Sequence, residues 1–401
     1  MSDYKLVQVG SDIDGEAVGD QSGNTDTVFV GCLGISADGT IVAIGSRNNE
    51  GANGESSGHV RIYKNNDGTW EQIGSDIDGE AGGDNAGVVS ISDDGSIVAI
   101  GASGNDGNGD NSGHVRIFQN NGGTWQQIGS DIDGEASGDA SGNSISLSAD
   151  GSIVAIGAYG SDLFASLDAG HVRIFQNNGG TWQQIGSDID GQIPDDYAVG
   201  FGVRSGISVS LSDDGTVVAI GAQGWDDYES YTHGDVRIFE NNSGNWQQIG
   251  DTIDDLGDDD KTGQRVSLSG DGTVLAVSSW NGGPVRIYER SGSSWNKNKE
   301  FSGSSGFGYS VSLSEDGSVL GIGALYTDNE KGSVHVYKNN SGTWESVGQI
   351  DGEANYDRSG SSVEISDDGS TIAIGAPWND GGGNKSGHVR VYQIISNTGS
   401  A

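Results

Sequence analysis

The chain has 401 residues, 71 of them glycine, and its 58 acidic and 19 basic residues give a formal net charge of −39. This charge argues against nucleic acid and anionic membrane surfaces as partners, because their phosphate groups repel a carboxylate-rich surface. No apolar run approaches membrane-spanning length, so no membrane insertion is expected. Hydrophobic residues make up only 33% of the chain, a composition that disordered proteins share. Here they fall in short alternating runs that recur in register, so the sequence predicts a folded repeat protein.

One unit of about fifty-five residues recurs from the first residues to the last. Residues 175–191 (FQNNGGTWQQIGSDIDG) repeat residues 118–134 letter for letter. Repeat units bury their apolar faces against neighbouring units, so chain length alone does not set the number of domains. We therefore expect a single domain over residues 1–401, with repeats that start near positions 11, 75, 130, 187, 251, 300 and 349.

Each unit predicts four short β-strands. In the third unit these are residues 144–148 (SISLS), 152–158 (SIVAIGA), 171–175 (HVRIF) and 182–186 (WQQIG). Alternation of period two between Asp-Gly and Asn-Gly turns is typical of antiparallel hairpins, and no helical periodicity is visible. Four antiparallel strands repeated radially build the blades of a β-propeller, so the predicted fold class is an all-β propeller.

The repeated turns indicate seven blades. The Asp-Gly turn of the first hairpin occurs at Asp38, Asp94, Asp150, Asp214, Asp271, Asp316 and Asp368. The tryptophan of the fourth strand occurs only six times, at Trp70, Trp125, Trp182, Trp246, Trp295 and Trp344. Residues 4–10 align with that fourth strand and are predicted to supply the outer strand of the last blade. This arrangement closes the ring and leaves no open sheet edge at the seam.

A family likeness lies in residues 372–392 (IAIGAPWNDGGGNKSGHVRVY). The GAP triplet that starts at Gly375 and the Gly-rich loop after it resemble the FG-GAP repeats of integrin α-subunit propellers, and the FG pairs at Phe201 and Phe307 match the other half of the motif. The resemblance implies an interaction or adhesion module, often extracellular or surface-associated, although the N-terminal residues show no signal peptide. In that family calcium lies between the first two strands. Here that connection is a bare Asp-Gly turn, so the family's calcium residues are not transferred.

A different calcium pattern occupies the loop after the fourth strand. In its first copy, acidic residues stand at positions 1, 3, 5 and 9 of a nine-residue stretch. Alternate oxygen ligands on a short glycine-containing loop suit Ca²⁺, which takes six to eight oxygens in flexible geometry. The alternative is a solvated acidic turn in which each aspartate bonds its own backbone. The predicted calcium ligands are Asp12, Asp14, Glu16, Asp20, Asp76, Asp78, Glu80, Asp84, Asp131, Asp133, Glu135 and Asp139.

Two polar positions of the third strand recur and are interpreted as structural, because a catalytic group is normally needed only once. The histidines that start the strand are His59, His114, His171 and His388. The arginines two residues further on are expected to pair with carboxylates between blades, since partly buried charges need partners. They are Arg61, Arg116, Arg173, Arg237, Arg286 and Arg390.

Aromatic residues that do not follow the repeat stand just after the second strand, at the mouth of the variable loop. Aromatic planes beside carboxylates suit sugars or a basic peptide side chain. The alternative is packing inside the loop itself. The predicted ligand-binding residues are Tyr159, Trp225, Trp280, Tyr326 and Trp378.

The direction of the strands places the long loops at one end of the ring and the tight turns at the other, so the loop-bearing end is the predicted binding face. No nucleophile motif, phosphate loop or zinc spacing is present, and no enzyme is expected. We expect a monomeric, non-enzymatic binding or adhesion module for a protein or glycan, with calcium as its cofactor. The alternatives are a structural assembly component of a surface layer or virion and, third, a glycoside-active enzyme that uses two carboxylates.

Overall fold

The structure, a computed structural model, describes residues 4–24, 31–51, 53–160, 162–164, 167–192, 203–223, 234–254, 262–279 and 283–397. These residues form seven blade sheets, each built on four antiparallel strands, and one separate two-stranded hairpin; within six blades the four strands follow in chain order, and in the seventh the outer strand is the N-terminal one. The first strands of consecutive blades contact one another around a closed circle. The predicted seven-bladed β-propeller is therefore confirmed.

The first strand of each blade lies nearest the axis, and the second and third follow outward. The first strands are Leu33–Ile35, Val88–Ile91, Ser144–Leu147, Ser205–Leu211, Thr262–Leu268, Phe307–Leu313 and Ser362–Ile365. The second strands are Ile41–Ser46, Ile97–Ala102, Ile153–Ala158, Val217–Ala222, Val274–Ser279, Val319–Ala324 and Thr371–Ala376. The third strands are His59–Asn66, His114–Asn120, His171–Asn177, Asp235–Asn241, Val285–Ser291, Ser333–Asn340 and His388–Ser396.

The rim of the ring carries the fourth strands and some shorter elements. The fourth strands of blades 1 to 6 are Thr69–Gln72, Trp125–Gln127, Trp182–Gln184, Trp246–Gln248, Ser294–Phe301 and Thr343–Asp351. Two-residue strands that pair with the start of a third strand are Ile13–Asp14, Ile77–Asp78, Ile132–Asp133 and Ile189–Asp190. Blade 3 adds the hairpin Asp162–Phe164 and Leu167–Asp168, and blade 6 adds the helical turn Thr327–Glu330. No helix in the described ranges is long and apolar enough to cross a bilayer.

The Asp-Gly turns explain why the first hairpin forms at the same place in every unit. In blade 3 the Asp150 carboxylate accepts the backbone N–H of Ser152 at 2.8 Å and the hydroxyl of Ser148 at 2.9 Å. Gly151 follows at φ 67°, a left-handed conformation that glycine adopts without a Cβ clash. The side chain and the glycine together reverse the chain in the fewest residues.

The hydrophobic core lies between the blades. In one cluster, Val60 and Ile62 of blade 1 pack against Val98 and Ile100 of blade 2. Six further clusters repeat this arrangement around the ring. Each blade therefore covers the apolar face of its neighbour, as expected for repeat units.

The N-terminal strand Tyr4–Gln8 completes the last blade. It pairs antiparallel with His388–Ser396, with Tyr4 opposite Ser396 and Gln8 opposite Tyr392. The strand occupies most of the predicted range 4–10, and Ile13–Asp14 continues along the same partner. The predicted closure of the ring by the N-terminal strand is confirmed, and a closed ring is compatible with a monomer.

A ring of backbone hydrogen bonds ties the blades together at the end that carries the tight turns. The residue before each Asp-Gly turn donates its N–H to the carbonyl of the equivalent residue in the next blade, over 2.8 to 3.1 Å for six of the bonds. The N–H of Asp368 closes the circle onto Ala37 O at 3.4 Å. The seven residues are Ala37, Asp93, Ala149, Asp213, Gly270, Glu315 and Asp367.

The closing strand offers a matched pair of substitutions. Leu6 packs against the hydrophobic cluster between blades 6 and 7, whereas its neighbour Val7 is 38% exposed. We expect Leu6→Asp to lower the free energy of unfolding by about 2 kcal/mol, because a charge replaces apolar contact at the seam. Val7→Asp on the opposite face should stay within about 0.5 kcal/mol of the wild type. Urea unfolding of both variants measures this, and equal effects would contradict the role of the strand in closure.

Candidate functional site

The two sets of long loops meet at one end of the ring. Side chains of the loop between the second and third strands reach the acidic loop that follows the fourth strand. Asn53 Nδ2 donates to Gly79 O at 2.7 Å, and Asn108 Nδ2 donates to Gly134 O at 2.9 Å. The placement of both loop sets on one face, here called the loop-bearing face, agrees with the sequence prediction.

The ninth position of the acidic loop caps the loop itself. Asp20, Asp84 and Asp139 are buried. Each carboxylate accepts the backbone N–H of the alanine three residues earlier, at 2.8 to 2.9 Å. Asn49 and Asn105 donate further bonds to Asp20 and Asp84 at 3.2 and 3.3 Å. At this position the structure shows the backbone-bonded acidic turn that the sequence left as the alternative.

The other predicted calcium ligands of one copy point to different neighbours. In the second copy Asp76 accepts a hydrogen bond from Gln72 Nε2 at 2.6 Å, while Glu80 faces Arg116 of the next blade at 3.6 Å. The main-chain oxygen of Asp78 accepts a bond from the same arginine at 2.6 Å. Within the described residues, no three carboxylates of a single copy converge on one point. Calcium held by one acidic loop stays a prediction.

The repeated arginines connect adjacent blades. Arg61 is buried, and its guanidinium donates to Asp14 O at 2.9 Å and lies 3.5 Å from Glu16. The pairs of Arg116 with Glu80, Arg173 with Glu135 and Arg390 with Glu353 repeat this geometry at 3.6, 3.7 and 3.8 Å.

Two of these arginines find their carboxylate inside their own blade. Arg237 faces Asp235 at 3.9 Å, and Arg286 faces Glu300 at 3.1 Å. The loop before blade 4 carries Gln192 where the loops before blades 1, 2, 3 and 7 have glutamate. The glutamate partner between the blades is therefore missing there, although Arg237 still donates to Asp190 O at 2.8 Å. The expectation of pairing between blades holds for four of the six arginines.

Three of the five predicted ligand-binding aromatics belong to the described residues, and these three lie on the loop-bearing face. Tyr159, Tyr326 and Trp378 are half-buried, and Trp225 and Trp280 fall outside the described residues. Each of the three stands against an arginine of the loop that leads into a blade. Arg204 lies 5.5 Å from the ring of Tyr159, and Arg358 lies 5.7 Å from Tyr326 and 3.3 Å from Trp378. Their aromatic faces are therefore partly covered by cations of the same chain.

These contacts extend into a row across blades 5 to 7. Arg265 lies 5.8 Å from the ring of Tyr309, which meets Tyr326 edge to face at 6.5 Å. Beyond Arg358, Lys385 lies 4.0 Å from Trp378. We call this set the cation–aromatic row; its members are Arg265, Tyr309, Tyr326, Arg358, Trp378 and Lys385.

Glu330 fixes the centre of the row by accepting bonds from Arg358 Nε and Nη2 at 3.0 and 2.7 Å. Sequence reasoning missed the cations because it considered the aromatic residues beside the abundant carboxylates. The available signal was that basic residues, Arg204, Lys261 and Arg358, occupy one equivalent position before the first strand, where the other four copies have uncharged residues.

The fourth-strand tryptophans line clefts at the rim. Trp182 Nε1 donates to Ile128 O of the preceding blade at 2.9 Å. A cleft of about 330 Å³ lies between this ring, Arg173 and the acidic side chains of Asp131 and Asp133. Similar clefts occur at the tryptophans of blades 2 and 4. The hydrogen bond to the neighbouring blade agrees with the structural role that the repeat suggested.

A second acidic cluster, which the sequence did not indicate, lies on the backbone ring at the opposite end. Burial, followed by the negative charges of Glu315 and Asp93, raises the pKa of Asp213 to about 7. Burial and the same kind of repulsion raise the pKa of Asp367 to about 7. Burial alone is the main cause that raises the pKa of Glu364, on the adjoining first strand, to about 8.

These side chains come from separate blades, so no local motif marks them. Asp213 and Glu315 share a side-chain hydrogen bond, which requires a proton on one of the two carboxyls.

Comparisons with known proteins agree with this architecture. Residues 350–392, from the end of blade 6 to the third strand of blade 7, match the family model of the FG-GAP repeat. The chain carries an FG-GAP repeat. A structurally similar protein is a putative 6-phosphogluconolactonase from Bacteroides uniformis ATCC 8492, with a TM-score of 0.55 and 16% sequence identity over 81% of this chain and 86% of that chain. At this identity the likeness shows the fold alone. No curated protein matches the sequence.

The raised carboxyl pKa values predict how stability depends on pH. The folded-state pKa of Asp213, about 7, lies above its ordinary value of 3.8, so the folded protein keeps a proton that the unfolded chain releases. The contribution of this proton to stability is complete below pH 3.8 and is lost as the pH rises to about 7. Asp213→Asn should therefore raise the free energy of unfolding at pH 8 by about 1–2 kcal/mol, with allowance for solvent screening of a half-buried group. Denaturant unfolding at pH 5 and pH 8 measures the effect.

The neighbouring turn residue serves as the control for that substitution. Burial tends to raise the pKa of Asp214, but its hydrogen bonds to Thr216 and Ser212 outweigh burial and lower it. Asp214→Asn should therefore reduce stability at pH 8 rather than increase it. If both variants moved stability in the same direction, the account of the acidic cluster would be wrong.

Proposed function

We propose that this propeller is a non-enzymatic binding module that recognises a protein or glycan partner through its loop-bearing face. The observation that carries the proposal is the cation–aromatic row. Its members come from three consecutive blades and do not follow the repeat that builds the scaffold. Arg265 and Tyr309 are buried in first strands. The other four members lie on loops, where residues that depart from a repeated framework are those that binding would use.

The chemistry of the row limits the class of partner. Arg358 and Lys385 both stand on the half-buried Trp378. Because Glu330 already accepts bonds from Arg358 Nε and Nη2, a ligand would meet the charge of Lys385 and the remaining edge of the Arg358 guanidinium beside the accessible part of the aromatic ring. Such a surface suits carboxylate or sulfate groups attached to a planar apolar surface, in an acidic peptide or an acidic sugar. A neutral sugar has less to gain, because the cations already cover part of the ring that it would stack on.

The proposal treats the protein as non-enzymatic. Asp213 and Asp367, whose pKa values are raised to about 7, lie on the backbone ring at the opposite end, and each is hydrogen-bonded to another carboxyl group. Glycoside hydrolases hold their two carboxyls about 5 Å or more apart, which leaves room for the sugar bond or a water molecule. The similarity to a putative 6-phosphogluconolactonase extends to the fold and transfers no activity. Calcium at the acidic loops stays a separate prediction, and an extracellular or surface-associated location, which the FG-GAP resemblance implies, belongs to the proposal.

Binding to immobilised probes of different charge tests the function. A heparin-derived disaccharide, a short glutamate-containing peptide and a neutral dextran oligosaccharide represent a sulfated glycan, an acidic peptide and an uncharged glycan. We expect saturable binding to one of the two anionic probes, weakened at least about tenfold by Arg358→Gln or Trp378→Ala, since each removes part of the same contact surface.

The matched control is Lys338→Gln, which removes a cation from the rim, where Lys338 lies 5.4 Å from the ring of Tyr4. This variant should bind like the wild type. If the two row variants and the control bound all probes equally, or if no probe bound, the structural assembly alternative would be favoured.

A further inference from the structure

Four seams between blades carry the same set of a histidine, an aspartate and a glutamate. The histidine starts a third strand, the aspartate follows the fourth strand of the same blade, and the glutamate belongs to the loop that precedes the blade. One ligand atom of each lies within 4.8 Å of the other two. We call these sets the seam triads; they are Glu16 with His59 and Asp76, Glu80 with His114 and Asp131, Glu135 with His171 and Asp188, and Glu353 with His388 and Asp12.

The histidines of the seam triads are buried and turned toward the carboxylates. His388 is 1% exposed, and its Nδ1 lies 3.5 Å from Asp12 Oδ2 and 4.0 Å from Glu353 Oε2. His59, also 1% exposed, has its Nδ1 3.7 Å from Asp76 Oδ2. These separations exceed the length of a hydrogen bond, and the Nε2 of both rings is buried without a partner.

A second layer of contacts orients each carboxylate. The glutamine of the preceding fourth strand donates to Oδ1 of the aspartate, at 2.7 Å for Gln8 on Asp12 and 2.6 Å for Gln72 on Asp76. The bond holds one oxygen and leaves Oδ2 facing the histidine. In the same seam, Glu353 presents Oε1 to Arg390 at 3.8 Å and Oε2 to His388. Ligand sets that bind metal ions are typically held by such outer hydrogen bonds.

The three residues of a triad are present or absent together along the chain. Blades 1, 2, 3 and 7 have the complete set, and blades 4, 5 and 6 have none of it. The histidine, aspartate and glutamate positions hold other residues in those blades. In that order they are Asp235, Thr252 and Gln192 in blade 4, Pro284, Glu300 and Leu256 in blade 5, and Ser333, Gln349 and Ser304 in blade 6.

The neighbouring arginine does not follow this pattern. Arg237 and Arg286 remain in blades 4 and 5, where the triad is missing. The presence of the glutamate therefore follows that of the histidine and the aspartate rather than that of the arginine, although the glutamate also faces the arginine in the complete seams.

We propose that the seam triads bind divalent transition-metal ions of the zinc type, one ion for each complete seam. A zinc ion bonds nitrogen and carboxylate oxygen at about 2.0–2.2 Å, which places neighbouring ligand atoms about 3.4 Å apart in a tetrahedral site. The separations of 3.5 and 4.0 Å from His388 Nδ1 are close to this value. Imidazole together with carboxylates suits zinc, whereas calcium takes oxygen ligands alone.

The site is accessible to a metal ion from solvent. The side chains of Asp12 and Glu353 are 27% and 47% exposed, so their outer sides remain open to an entering ion and to water as a further ligand. The ion would connect a histidine and an aspartate of one blade to a loop on the preceding blade, and would act as a cross-link between blades.

Metal stoichiometry tests the inference on the full chain. After removal of metal with a chelator, equilibrium dialysis against zinc ions alone should give four bound ions per chain, and His388→Gln should reduce the number to three. Replacement of all four triad histidines by glutamine should abolish this binding. Cobalt bound in place of zinc should show visible absorption bands that each histidine substitution reduces by about a quarter. Glu353→Gln, at a half-exposed position, provides a second variant if His388→Gln fails to fold.

The histidine of blade 6 gives the matched control. His335 occupies the arginine position, contacts the ring of Phe307 at 5.5 Å and belongs to no seam triad. His335→Gln should leave four ions bound, and calcium in tenfold excess should not displace them. The proposal is overturned if zinc does not bind, or if the number of bound ions is unchanged when all four histidines are replaced. It is also overturned if calcium displaces zinc completely, which would point to oxygen-only sites on the acidic loops.

Discussion

Every blade depends on its neighbour to cover an apolar face, and the rest of the molecule follows from this. A four-stranded sheet of this size has no second layer of its own, so its Val and Ile side chains pack against the next sheet. The last face must also be covered. The cluster that joins blade 7 to blade 1 contains Ile13 and Val389 on one side and Leu33 and Val42 on the other. A ring that failed to close would expose this cluster, which is why the N-terminal strand is built into the final blade.

The same constraint governs the polar groups of the seams. A buried arginine such as Arg61 cannot be left without partners, because desolvating an unpaired charge costs several kcal/mol. Its hydrogen bond to Asp14 O and its ion pair with Glu16 form only when the adjacent blade is in place. Polar and apolar contacts of the seam therefore favour the same arrangement of neighbouring blades. Agreement between the two kinds of contact is what allows one unit to be used repeatedly.

Local signals made the fold predictable, while the sites depended on contacts between units. The turn at Asp150 and Gly151 is encoded in adjacent residues, so its repetition revealed the blades. The grouping of Asp12 with Glu353 joins residues from opposite ends of the chain, and the spacing within one loop suggested a different partnership. Asp213 and Glu315 meet only because the backbone ring brings separate blades together. The reason Arg358 was missed is similar, since its contact with Trp378 links two loops of one face.

The cation–aromatic row also has to act against the charge of the whole molecule. With a net charge of −39, the protein repels an anionic partner at long range. At physiological ionic strength this repulsion is screened over about 8 Å, whereas contacts at the row itself operate at shorter distances and are screened much less. Arg358 and Lys385 can therefore attract a carboxylate or sulfate that has already reached the face, even though they cannot steer it there.

A partner that places its anionic groups locally, on the row and away from the acidic loops, gains the attraction without the repulsion. A polyanion spread over the whole face meets both. The surface thus favours a compact anionic epitope, and its selectivity comes from the contrast between the row and the acidic surroundings.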